Sequence, residues 1–206
     1  MSAASEGSRT ALFWKCRAPF DMLFKKTLLR FQRDSYRLPS GPNLQQRMFN
    51  RNSGLFEDGK RVEITEWRDG VEFAEHWDGL AFELQADQPV RVEFLRSEPA
   101  AVLMVTVSEE TWHRQRSSSH FATRWAGVLL DFFHAAEAEC CLFPINLDEV
   151  PCQKWAEAVA LRRKTAELRI EKEPTAENPP SGYKTIKLTE GGILQTSLPV
   201  KSSPSG

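Results

Sequence analysis

The chain predicts an α+β domain, and three features carry the prediction. Short alternating apolar runs separated by turn dipeptides fill residues 60–107, an amphipathic helical pattern precedes them, and helix-period apolar spacing follows them. The expected architecture is a five-stranded, mainly antiparallel meander sheet with helices packed on one face and an N-terminal amphipathic helix. Residues 1–172 are read as one domain: a basic helical segment at 11–37, the sheet at 60–107 and helices at 108–169. Residues 173–206 form a Pro/Ser/Gly-rich tail.

In the first segment Phe20, Leu23, Phe24, Thr27, Leu28 and Phe31 recur at helical spacing, with Lys25, Lys26, Arg30 and Arg33 off that stripe. Residues 37–59 hold Pro39, Gly41, Pro42, Asn50, Asn52 and Gly54, so they read as loop with one helical turn near Gln45 to Phe49.

The strands are read next as RVEITEW, VEFAEHW, LAFELQA, VRVEFLR and AAVLMVTV. Asp58-Gly59, Asp69-Gly70 and Asp78-Gly79 precede the first three, and Asp-Gly between alternating runs favours hairpin turns because glycine tolerates positive φ. AAVLMVTV is apolar on both faces, which marks a central or doubly covered strand.

After the sheet the period changes. Ser108 before Glu109 and Glu110 suits a helix start. A helix over 118–139 buries Phe121, Trp125, Val128, Leu129, Phe132, Phe133 and Ala136. A turn near Asn146 follows, and Pro151, Trp155, Val159 and Leu168 mark a last helix running to about Arg169. In the tail, YKTIKL and GGILQTSL can form one hairpin, and the last six residues are expected to be disordered.

Composition bounds the function. The 206 residues are 41% apolar with six Trp and thirteen Phe, too apolar for a disordered chain. No run approaches the ~20 apolar residues a membrane helix needs. The polar start and the interrupted apolar segment after it argue against a secretory signal, whereas eight basic and three acidic residues up to position 37 resemble a transit segment. Cys16, Cys140, Cys141 and Cys152 lack disulfide-framework or zinc spacing, so they read as buried thiols in a reducing, cytoplasmic compartment. No phosphate-loop, dinucleotide, nucleophile-elbow, zinc-protease or EF-hand signature is present. No cofactor or metal is expected.

The net charge of -1 hides a strong asymmetry: residues 1–55 carry ten basic and three acidic groups, and residues 56–110 five basic and fourteen acidic. Strand alternation would put Glu63, Glu72, His76, Glu83 and Glu93 together on one sheet face. That face, with Trp67 and Trp77 as aromatic anchors, is the expected partner-binding surface. The function read from it is a non-catalytic protein-binding module, of the bacterial inhibitor or toxin-immunity kind, meeting a basic partner such as a toxin or nuclease. Solvation, or neutralisation by the basic N-terminal segment, explains the same charges without a partner. Two alternatives stand beside it. One is an enzyme with a pocket around His76 or around His134, which has Asp131 three residues before it. The other is nucleic-acid binding through the basic N-terminal helix, whose Phe and Leu companions belong to a core stripe and not to a stacking platform.

Overall fold

The computed structural model describes residues 8–86, 89–97, 100–115, 119–145, 147, 149–172, 184–187 and 193–197. Ten strands form one antiparallel sheet: β1 (Ser8–Trp14), β2 (Leu44–Asn50), β3 (Leu55–Val62), β4 (Gly79–Leu84), β5 (Val90–Ser97), β6 (Ala100–Ser108), β7 (Cys140–Phe143), β8 (Leu168–Glu171), β9 (Lys184–Lys187) and β10 (Ile193–Thr196). Their spatial order is β3-β2-β4-β5-β6-β1-β7-β8-β10-β9. The helices are α1 (Phe20–Arg33), α2 (Trp67–His76), α3 (Glu109–Gln115), α4 (Ser119–Ala136) and α5 (Trp155–Arg162). The chain is α+β with a large antiparallel sheet, but the sheet has ten strands where the sequence reading has five.

Several of the added strands have a physical signature that alternation misses. In β1, Ala11, Leu12, Phe13 and Trp14 are all buried, because the strand lies between β6 and β7 with packed side chains on both faces. A doubly covered strand reads as a continuous apolar run. The same holds for Cys140 to Phe143 of β7. β8 falls where the last helix was expected to end; Leu168 and Ile170 face one core while Arg169 and Glu171 are buried on the other side. β2 and β3 form a hairpin whose turn is closed by Asn50, which accepts bonds from Asn52 and Ser53, and by Gly54 at φ 71°.

Two cores flank the sheet. The larger joins Leu23, Phe24, Leu28 and Phe31 of α1 and Leu129, Phe132 and Phe133 of α4 to Phe13, Phe82, Phe94 and Phe143. Phe24 meets Phe82 edge-on at 5.5 Å, and Phe132 meets Phe13 at 6.3 Å. The second core, on the other face, packs Ile145, Leu147, Trp155 and Val159 against Trp14, Val102, Met104 and Leu142. Apolar segments therefore lie on both sides of the sheet, where the sequence reading puts helices on one.

None of the three Asp-Gly pairs is a hairpin turn. Gly59 sits inside β3 at the register shift against β2, where a Cβ would fall 2.7 Å from the Gln46 side chain. Gly70 lies in α2, and Gly79 opens β4 with room for no Cβ, the Phe94 carbonyl being 2.7 Å away. The expected helix start at Ser118, the turn near Asn146 and the last six residues lie outside the described residues, wholly or in part. Among the described residues no helix is long and apolar enough to cross a membrane.

Candidate partner-binding surface

The segment VEFAEHW, expected as a strand, belongs to helix α2. Its start explains why. The Asp69 carboxylate accepts bonds from the backbone N–H groups of Thr65 and Glu66 and from the Thr65 hydroxyl, each at 2.9 Å. An acid at the third helical position that reaches back over the cap fixes the entry of the chain and complements the positive helix end. These bonds, first that of Glu66 and then those of Thr65, hold the Asp69 carboxyl below its ordinary value. Gly70 is buried because a Cβ there would fall 2.4 Å from the Phe24 ring of α1. At the far end Arg96 donates to the carbonyls of Ala74 and Glu75, satisfying the helix C-terminus, and its guanidinium stacks over Phe20 at 4.4 Å.

Once this segment is helical, the acids redistribute. Glu63, Glu66, Asp69, Glu72, Glu75 and Asp78 recur every third residue and are all exposed. Steps of three turn a helix by about 300°, so the three that lie in α2, Asp69, Glu72 and Glu75, sweep round its solvent side while Gly70 and Ala74 face α1. Glu72 and Glu75 form no ion pair among the described residues; Glu66 lies 3.9 Å from Arg68, Glu63 accepts from the Gly41 N–H at 3.0 Å and Asp78 from the Phe49 N–H at 3.4 Å. His76, the last residue of α2, is exposed beside them. Trp67 and Trp77 stand at the two ends, half-buried against the larger core. The Lys25 ammonium sits 4.2 Å from the Trp67 ring centroid, and the Phe73 ring 4.6 Å from that of Trp77.

The expected acidic sheet face is thus divided. Glu83 and Glu93 do share a face, because Ala81 pairs with Glu93 and Glu83 with Arg91 across β4 and β5. That face is opposite the larger core, which holds Phe82, Phe94 and α2's Ala74. Glu83 is exposed, whereas Glu93 is only 4% exposed and ion-paired with Arg91. Glu63, Glu72 and His76 lie away from both. The helical signals were present in the sequence: Trp67, Gly70, Ala74 and Trp77 recur at helical spacing, and Asp69 follows Glu66 by three. The Asp69-Gly70 dipeptide carries a local turn signal that conflicts with them.

Other sequence candidates are also separated. Asp131 bonds Arg30 of α1 at 2.6 Å. His134 packs 5.5 Å from the Phe133 ring. Cys140 and Cys141 sit on β7, so they project to opposite faces and into different cores. All four cysteines are buried free thiols. Burial pushes the Cys16 thiol up to about 12 and raises Cys140, Cys141 and Cys152 as well. Such thiols are poor nucleophiles and poor ligands. Among the described residues no group of three or more His, Cys, Asp or Glu side chains is placed to hold a metal ion.

The hollows bounded by described residues include three. One of about 610 Å³ lies beside Tyr36, Arg37, Glu63 and Thr65. A second, of about 650 Å³, runs between α1 and α4. The third, of about 110 Å³, is lined by Gln45, Arg61, Glu83 and Arg91. Neither His76 nor His134 lines any of the three.

No family model matches the chain, and no curated protein matches it. Among solved structures it is similar to a Pseudomonas aeruginosa T6SS protein, with TM-score 0.48 and 12% identity over 95% of this chain and 68% of that one. A likeness of that size transfers neither activity nor partner.

Proposed function

We propose that the chain is a non-catalytic protein-binding module that meets a basic partner through the exposed side of α2. The supporting observation is the run of six exposed carboxylates from Glu63 to Asp78, three of them (Asp69, Glu72 and Glu75) on α2 itself, with Glu72 and Glu75 in no ion pair among the described residues although Arg96 lies near Glu75. Like charges held together on a rigid helix raise the local potential, speed encounter with a basic surface and disfavour acidic ones. The half-buried Trp67 and Trp77 lie within the series, one opening α2 and the other just past its end. A bacterial inhibitor or immunity-type protein acting on a toxin or nuclease is the kind of role this chemistry serves, and a cytoplasmic location goes with that reading.

The test is binding to the partner that co-purifies from the native host, repeated with both proteins pure. Glu72→Lys combined with Glu75→Lys should weaken the complex about tenfold or more and flatten its dependence on ionic strength. Their own stability should stay within about 0.5 kcal/mol of the parent, since both side chains are exposed. Unchanged affinity in the double variant would sink the proposal.

A further inference from the structure

The outward side of α1 is a different surface with the opposite charge. Its buried stripe is Phe20, Leu23, Phe24, Thr27, Leu28 and Phe31, and the residues directly across the helix are Met22, Lys26, Leu29 and Arg33. All four are exposed. Met22 (46% exposed) and Leu29 (37%) are two of the four large apolar side chains exposed among the described residues. Beside this stripe lies the hollow of about 650 Å³ between α1 and α4, with Leu29, Phe132 and Ala135 in its lining.

The charges of this groove are unevenly committed. Arg30 bonds both Asp34, at 2.8 Å, and Asp131, at 2.6 Å, and Arg124 of α4 lies 3.5 Å from Asp34. Both carboxylates are thereby neutralised from within. Lys26 and Arg33 line the same groove and form no ion pair among the described residues. What the groove offers a ligand is the apolar surface of Leu29 and Ala135 with two uncommitted cations, Lys26 and Arg33, along it. Met22 continues the outward stripe of α1 beyond the groove, so that the stripe from Met22 to Arg33 spans twelve residues, about 16 Å or three helical turns.

We propose that the α1–α4 groove docks an amphipathic helical segment of a partner protein, with apolar side chains on one stripe and carboxylates beside it. Apolar residues at helical spacing would cover Met22 and Leu29, and the carboxylates would meet Lys26 and Arg33. A second copy of this chain is a poor occupant through its acidic helix, because the small residues Gly70 and Ala74 of α2 are already turned onto α1 and leave no apolar stripe to offer. Nucleic acid is a poor occupant too. The one aromatic ring in the lining, Phe132, is 1% exposed, so there is no platform for a base to stack on. This inference is independent of the α2 surface.

The experiment uses the full chain and three labelled probes followed by fluorescence anisotropy. They are a helical peptide of about four turns with leucines on one stripe and glutamates beside it, the same peptide with lysines for the glutamates, and a single-stranded DNA oligonucleotide. The glutamate peptide should bind, and the lysine peptide and the oligonucleotide should not. Lys26→Glu with Arg33→Glu should weaken the glutamate peptide about tenfold, as two lost exposed pairs predict. Leu29→Asp should weaken it comparably, and the matched charge reversal Lys60→Glu with Arg162→Glu, at exposed residues outside both surfaces, should leave it unchanged. Matching melting temperatures and far-ultraviolet spectra confirm that these exposed changes leave the fold intact. The proposal is overturned if the glutamate peptide fails to bind or if both peptides bind alike. It is equally overturned if the oligonucleotide binds more tightly and is lost in the same variant, or if sedimentation shows a dimer that Lys26→Glu with Arg33→Glu dissolves.

Discussion

The two sides of the sheet are held by different physics. On the side facing α1 and α4, strand after strand contributes aromatic and aliphatic side chains, including Phe13, Phe82, Phe94, Leu103, Val105 and Phe143. On the opposite side the apolar core lies beneath residues 145–166, and polar groups are buried at its flanks. Gln45 and Glu93 lie on β2 and β5, Thr10 on the central β1, and Arg169, Glu171 and Gln195 on β8 and β10. Most of those groups hold specific bonds, although Glu93 meets Arg91 through one carboxylate oxygen and its Oε2 has no hydrogen-bond partner among the described residues. Gln45 donates to the Gly59 and Lys60 carbonyls, Thr10 shares a bond with Thr106 at 2.8 Å, and Arg169 donates to Gln195 and to the Arg163 carbonyl. Apolar area is additive and forgiving of shape, whereas a buried polar network is worth something only while every member keeps its partner.

The sharpest contrast should come from the apolar side. Phe13→Ala, at a fully buried ring against Phe132, is expected to cost about 3–5 kcal/mol in urea unfolding. A loss under about 1 kcal/mol would mean that this side is not the main source of stability. On the polar flank Glu93→Leu leaves the Arg91 guanidinium with only the exposed Glu83, 3.9 Å away, and should cost about 2–3 kcal/mol. Adding Arg91→Met should recover most of that loss, because an apolar pair of similar volume needs no counter-charge. A double variant as unstable as the single one would show that the Arg91–Glu93 pair holds the β4–β5 face in a way packing cannot replace.

Gly70→Ala probes where α2 meets α1. Phe24 is fully buried between Phe82 and Phe94 and cannot swing away, so the added methyl should cost about 1–3 kcal/mol. Wild-type melting behaviour would contradict that contact.

The smallest effect per group is also the most diagnostic of burial. Cys16 has its folded-state pKa raised to about 12 by burial, so above the ordinary thiol value of 9.0 the unfolded chain loses a proton that the folded chain keeps. Stability should therefore be fully present below that value and fall as pH rises beyond it, by up to about 1.4 kcal/mol per pH unit for each such thiol. Denaturation curves between pH 8 and 10.5 should steepen in this sense, and Cys16→Ala should remove one thiol's share. Stability that stays level over this range would place the thiols in water.

How much was legible follows from the same contrast. β4, β5 and β6 were readable because their alternation or continuous apolar character fits their surroundings, and α1 because its stripe is uninterrupted. β1 and β7 were missed because a doubly covered strand has no alternation to detect. β2 was missed because its buried glutamine depends on carbonyls of β3 that no local window contains. Glu72 and His76 were singled out as residues but placed on a sheet face. The Asp69-Gly70 dipeptide resembles a turn, although its aspartate is a cap and its glycine a helix contact.

By itself the sequence determined the α+β class, the amphipathic helices and the separation of basic from acidic charge, because composition and periodicity are local properties. Only the tertiary structure decided where those charges stand. The Phe24 ring and the Asp69 cap make residues 67–76 a helix, which moves Glu72, Glu75 and His76 away from Glu83 and Glu93 and onto another side of the molecule. Ten strands then join one sheet because central strands bury both faces, a condition met only when β1 is placed between β6 and β7.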